Sequence, residues 1–402
     1  MNFHHIFFAA PHRVMFFAGA LQSLLTMTVW AFDLGARYAG LYAGPSWPVP
    51  AVWVHATLMI YGLFSFFIFG FLMTALPKWV GMGPLGQHAY VPPFLLLVGG
   101  WLLFYIGLMV RGFAPLGMLF VAWGWIWGWR SLYIAVRDSI NEGKAHAHAV
   151  LAALAAGAGG VLAMAAGLSS TDGVLVQAAI EIGLWGFLVP VFFIVTHRML
   201  PFFSGSVIRG YVEYRPMSLL WVLLACCVAH AALAIGGARA WSFVPDALGA
   251  GTMFWLAWKW QLRKSLASHL VAMHHLAGLW LGVAFSGYAV QSGLAQFDIA
   301  WGGRAPLHAL TVGYFGSILI GMATRVTLGH SGRLISSDRW SWRLFWMFQV
   351  VVLLRLAAEF VQWSGIANLV WLSALGWLCV FGMWCRVHLA MYVTPRPDGR
   401  EG

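Results

Sequence analysis

The sequence predicts an all-α fold: a polytopic membrane bundle of twelve transmembrane helices. Three observations lead there. Of 402 residues, 61% are hydrophobic and only 9% charged, with a mean hydropathy of +0.80, whereas a soluble domain carries about 25% charged residues. Apolar runs near the ~20 residues that a bilayer core requires follow one another with little between them. Once these runs alternate across a membrane, the Lys and Arg residues fall almost entirely on one side.

Taken in order, the first span is 13–33; "RVMFFAGALQSLLTMTVWAF" lacks a small-residue cleavage site, nearly reaches span length, and is read as a retained helix rather than a signal peptide. The second, 51–77, follows Pro50 and closes in "ALPKW". Spans three to five, 89–111, 115–136 and 146–168, are bounded by Gly, Pro and charge. The sixth, 174–200, closes in "RMLPFF". Spans seven to nine are 216–236, 243–264 and 268–292. The tenth, 305–328, starts beside Arg304; the last two are 341–363 and 366–392. No long polar linker intervenes, so residues 1–402 read as a single domain.

With alternating spans, eighteen of the 23 Lys and Arg residues share a side with the N-terminus. Arg37, Arg111, Arg239 and Arg304 lie opposite, and Arg355 lies within a span. A miscounted helix would scramble this asymmetry. Both termini are therefore predicted to be cytoplasmic, in what would be the inner (plasma) membrane of a bacterium. The outer loops, with Asp33, Asp172 and Asp298, are too short for a folded ectodomain. The basic residues are scattered singly through short loops, which excludes nucleic acid as the partner in favour of the lipid bilayer. The four cysteines form no CxxC or CxxCH, so neither a disulfide framework nor a covalently attached haem is supported.

Fifteen histidines and 24 tryptophans are unusual counts; interfacial belts explain tryptophans but not histidines. Spans two, six and ten run inward. His55 and His308 enter them at a common depth, roughly 5 Å below the outer interface, where two imidazoles could grip one metal or haem iron. Glu181 lies in the same outer half, and an intramembrane carboxylate usually faces a cavity or a partner. His230 is outer as well. A second layer near the inner face comprises His197, His269, His274, His275, His330, His146 and His148. From His308 to His330 is about 33 Å of helix, so these two cannot share a ligand. A lone interfacial histidine is more often a satisfied polar group than a ligand. Arg325 suits the C-terminal helix dipole, Arg355 and Glu359 form an i,i+4 pair, and Gly313, Ser317 and Gly321 form a helix-packing stripe.

The intervals His55–Glu181 and Glu181–His308 span 126 and 127 residues. This is compatible with three four-helix units around a pseudo-threefold axis, although helices of similar length produce the same spacing.

"HALTVGYFGSILIGMATRVTLGHSGR" resembles the signature of the NnrS family; "WVHATLMIYGLFSFFIFGFLMTALPKWVG", "RMLPFF" and "HLAGLW" are also similar, and the likeness runs along nearly the whole chain. The resemblance implies an inner-membrane protein with haem b, in one or more copies, and room for copper. It further implies a place in nitric oxide metabolism, denitrification and protection from nitrosative stress. It implies metal or haem roles for His55, His275, His308 and His330, and matches Arg198 and Pro201 to the end of span six. His197 is carried as a further cofactor residue and Glu181 as a proton carrier serving nitric oxide chemistry, with an unidentified electron donor. One departure is that the family's H-A-H-E-M reads "HATLM" here, with Thr57 and Leu58 replacing a His and a Glu, which puts copper or proton handling in doubt. Twelve helices with a threefold pseudo-repeat also resemble the catalytic subunit of haem–copper oxidases, but the paired histidines of that superfamily are missing. A membrane transporter for metals or small molecules and a non-catalytic assembly partner are the alternatives.

Overall fold

In the computed structural model, residues 6–333, 339–361 and 366–399 are described. The helices are α1 (Pro11–Ala39), α2 (Ala51–Trp79), α3 (Gln87–Ile106), α4 (Phe113–Asp138), α5 (Ala145–Ser170) and α6 (Gly173–Gly205). They continue with α7 (Met217–Ile235), α8 (Phe243–Lys259), α9 (His269–Ala295), α10 (Ala305–His330), α11 (Arg339–Ala357) and α12 (Ile366–Val393). No strand occurs among the described residues. Nine of these helices are long and apolar enough to cross a membrane. The exceptions, α4, α8 and α11, stand where the fourth, eighth and eleventh spans were expected and fall short of that measure. Among the described residues the protein is thus all-helical, with nine helices suited to crossing a membrane where twelve spans were expected.

Boundaries differ from expectation where the backbone turns early. α3 stops at Ile106, and the chain reverses through residues 107–112, with Gly112 at φ 94°. α8 stops at Lys259; Gln261 takes a left-handed φ of 60°, and a short turn, Leu262–Ser265, leads into α9. The expected end of the eleventh span at 363 lies outside the described residues.

Sequential neighbours pack as hairpins, α3 on α4, α4 on α5, α8 on α9 and α11 on α12, and α12 returns onto α1. The inner helices are α2, α6 and α10, with 89%, 72% and 78% of their most apolar windows buried. Helices apolar on all sides belong in such positions. Phe64 of α2, Phe192 of α6 and Phe315 of α10 touch one another, with ring centroids 5.0–5.6 Å apart. These rings join the three inner helices at one point.

Each inner helix also leaves α geometry once. Leu58–Leu63, Ile182–Leu188 and Ala309–Gly316 are π-helical. Such stretches are rare and cluster at functional sites. The wider turn brings neighbours close: a Cβ on Gly183 would lie 2.5 Å from the Ile60 side chain and 2.6 Å from the Tyr61 hydroxyl. That hydroxyl donates to the Ala179 carbonyl at 2.6 Å, tying the π stretch of α2 to α6.

The backbones of α3 and α4 approach closely at their glycines. A Cβ on Gly100 would stand 2.7 Å from the Gly117 carbonyl oxygen, while Gly99 faces open space. Overpacking costs about 1–3 kcal/mol, and a helical Gly→Ala change elsewhere gains up to ~1 kcal/mol. Gly100→Ala is therefore expected to lower the thermal unfolding midpoint in detergent, and Gly99→Ala to leave it unchanged or raise it. Equal midpoints for the two variants would refute this packing.

Candidate functional site

A cavity of about 350 Å³ opens in the predicted outer half of the bundle. Its wall includes His55, Glu181, His230 and His308, with Trp30, Arg239, Arg304, Arg355, Tyr288 and Phe64. The three residues singled out on the inward-running spans thus meet in one space. The π stretches begin beside them: His55 lies three residues before Leu58, Glu181 directly precedes Ile182, and His308 directly precedes Ala309.

Each imidazole is held differently. Trp30 stacks on His55 at 4.0 Å, nearly parallel at 14°, and covers one face of the ring. His55 Nδ1 is buried without a hydrogen-bond partner. His308 Nδ1–H donates to the Arg304 carbonyl at 2.9 Å, which leaves Nε2 as the ring's lone-pair nitrogen. His55 and His308 line the same cavity. His230 Nδ1 meets Asp246 Oδ1 at 2.7 Å, with both side chains almost wholly buried. Trp185 stacks on the same ring at 3.8 Å. This carboxylate–imidazole arrangement fixes the ring and its tautomer.

Charge is concentrated at the cavity edge. Glu181 pairs with Arg239 and accepts from Gln177 Nε2 at 2.7 Å. Arg355 Nη2 lies 2.7 Å from Glu359 Oε1, the pair expected from spacing, but Arg355 Nη1 is buried without a partner. Glu359 Oε2 also accepts from the Arg304 backbone N–H at 3.0 Å.

The inner histidines do not assemble. His197 Nδ1 lies 3.1 Å from His146 Nε2, and its own Nε2 lies 3.2 Å from the Pro216 carbonyl. His275 Nε2 is 2.9 Å from Ser204 Oγ. His274 turns away, its Nδ1 bonded to the Leu270 carbonyl, and His269 stacks on Trp342. His330 packs beside His12, with centroids 4.8 Å apart. His148 is exposed. Common depth placed these side chains in one layer, but they stand at different positions around the bundle. Among the described residues, no group of three or more His, Cys, Asp or Glu side chains is arranged to hold a metal.

Arg325 sits over the Phe203 ring at 3.8 Å, a cation–π contact at the end of α10. Gly313 and Gly321 face α9, at Trp280 and Met273, and Ser317 accepts from Gln349 Nε2, so the small-residue stripe packs helices. Sequence reasoning overlooked Asp246, which the rule applied to Glu181, a carboxylate inside an apolar run, would have found. It also overlooked Trp30 and the π stretches; neither carries a distinguishing pattern.

Residues 6–396 match the family described as NnrS protein, nearly the whole chain. No curated protein matches the chain.

The two buried carboxylates differ in what they support. Arg239 is 56% exposed, so its pairing with Glu181 is screened and contributes about 0–1 kcal/mol. Asp246→Ala strands a buried imidazole donor, at about 1–3 kcal/mol. Asp246→Ala is expected to lower the unfolding midpoint clearly more than Glu181→Gln; the reverse order would contradict this account of the cavity wall.

Proposed function

Because the chain belongs to the NnrS family, we propose that it is a haem-containing protein of the bacterial inner membrane that binds or reacts with nitric oxide in the outer cavity. The supporting observation is that His55 and His308, predicted to share a depth, line a single cavity. The donor set fits an iron porphyrin. His308 has a bare Nε2, His55 Nδ1 has no partner, and Arg355 keeps an unpaired buried N–H suited to a carboxylate. Haem b would supply iron able to ligate a neutral diatomic gas that partitions into lipid. Copper lacks comparable support, since no three-ligand cluster occurs among the described residues.

On this reading the chain's own residues do three things. Trp30 and the Arg304 carbonyl hold the imidazoles of His55 and His308 in fixed orientations. The cavity's apolar members, Phe64, Leu184 and Trp377 among them, limit water. Glu181 is the proton carrier, with Arg239 holding its carboxylate at the outer edge until a proton is drawn inward. Electrons come from a partner not yet identified. The three inner helices, each with one π stretch, support three four-helix units around a pseudo-threefold axis, and the twelve-span arrangement is part of this proposal.

The test is optical. Purified protein is expected to carry protohaem by pyridine haemochrome assay, and its reduced spectrum to shift when nitric oxide is added. His55→Ala and His308→Ala should each lose most of the haem, while exposed His88→Ala keeps it. Absence of haem, or a spectrum indifferent to nitric oxide, would overturn the proposal.

A further inference from the structure

At the face that charge asymmetry predicts as cytoplasmic, the ends of α1, α2, α10 and α12 bring several cations together. Arg13 is only 3% exposed. Its Nη1 donates to the Tyr392 and Thr394 carbonyls at 3.1 and 3.0 Å, closing the end of α12, but its Nε is buried without a partner. Among the described residues, Arg396 and Arg333 are the charges that act on Arg13. Arg396 donates to the His330 carbonyl at 3.0 Å and to Asp398 at 2.6 and 2.9 Å. The turn at Gly332 lies against Asp398, since a Cβ there would meet that carboxylate at 2.9 Å. His12, packed beside His330 with the rings tilted at 49°, has an unpartnered buried Nδ1 and feels the charges of Arg13, Lys78 and Arg396. Arg333 Nη1 is likewise buried and unpartnered.

Four cations, Arg13, Lys78, Arg333 and Arg396, therefore share this end with one carboxylate, Asp398, among the described residues. A solvated basic face would account for Lys78, which is exposed. It does not account for Arg13, which is almost wholly buried, or for the unpartnered Arg13 and Arg333 nitrogens. A buried guanidinium without an anion is strongly disfavoured, and a guanidinium fork matches phosphate oxygens. We propose that this end of the bundle is a phosphate-binding site, completed by the phosphate of an acidic lipid headgroup or by free phosphate. Basic pockets between spans on the cytoplasmic side are suited to acidic headgroups. The site is independent of the outer cavity and of haem, and it gives His330 a place beside a phosphate rather than a metal.

The experiment uses the full chain in nanodiscs of phosphatidylcholine alone, with phosphatidylglycerol added, or with inorganic phosphate added. Thermal unfolding and the number of phospholipids retained in native mass spectrometry are the readouts. Phosphatidylglycerol is expected to raise the midpoint by several degrees and to be retained. Arg333→Gln, and Arg333→Gln combined with Arg396→Gln, should lose at least half of that rise, while Arg209→Gln in another loop loses none. A rise with both additives supports free phosphate as a ligand; a rise with phosphatidylglycerol alone supports the headgroup. No rise with either, or the same rise in the Arg333 variants and wild type, would overturn the site. Should the variants fail to fold, the wild-type comparison decides: no retained acidic lipid and no phosphate effect is a refutation.

Discussion

Inside a bilayer every backbone N–H and C=O must find a partner within the protein, and α2, α6 and α10 satisfy this while changing register once each. The wider turn rotates the inner part of each helix relative to its outer part. Just before the π stretches stand His55, Glu181 and His308, at the cavity; Phe64 and Phe192 follow the stretches of α2 and α6, and Phe315 lies within that of α10, the three rings packed on one another. Each change in hydrogen bonding therefore begins between a cavity residue and the aromatic junction. Tyr61, bonded to the Ala179 carbonyl, shows how a side chain helps to fix this geometry across two helices.

The membrane class and most helix positions were legible because they follow from hydropathy and from the sidedness of Lys and Arg. The convergence of His55, Glu181 and His308 was legible for a narrower reason: their spans run in the same direction, so distance along each helix translates into common depth. Depth is only one coordinate. His197, His275 and His330 share it too, yet they bond to His146, Ser204 and the Val326 carbonyl in separate places, because angular position around the bundle depends on packing. Asp246 could have been found from sequence and Trp30 could not, since one tryptophan among 24 carries no mark of the histidine it covers.

The polar groups of the interior differ in kind. His230 Nδ1 and Asp246 Oδ1 bond to each other at the cavity wall, and Trp185 closes over the imidazole, which rigidifies the pair. Asp246 Oδ2 and single nitrogens of His55, Arg355 and Arg13 are buried without a partner. Unsatisfied groups of this sort are costly in a low-dielectric interior. The proposed haem site draws on His55 and Arg355 and the proposed phosphate site on Arg13, with the aromatic junction between them.

The aromatic junction has an energetic corollary. Phe64 borders the outer cavity and Phe192 borders a small apolar pocket beneath it, lined by Ile68, Leu72, Val195 and Leu319. Thr196 is the polar member of that lining, and its Oγ1 lies 3.3 Å from the Tyr314 hydroxyl. On the proposed reading Glu181, beside the outer cavity, delivers its proton from the near side of the bilayer, so that delivery would not draw on the membrane potential.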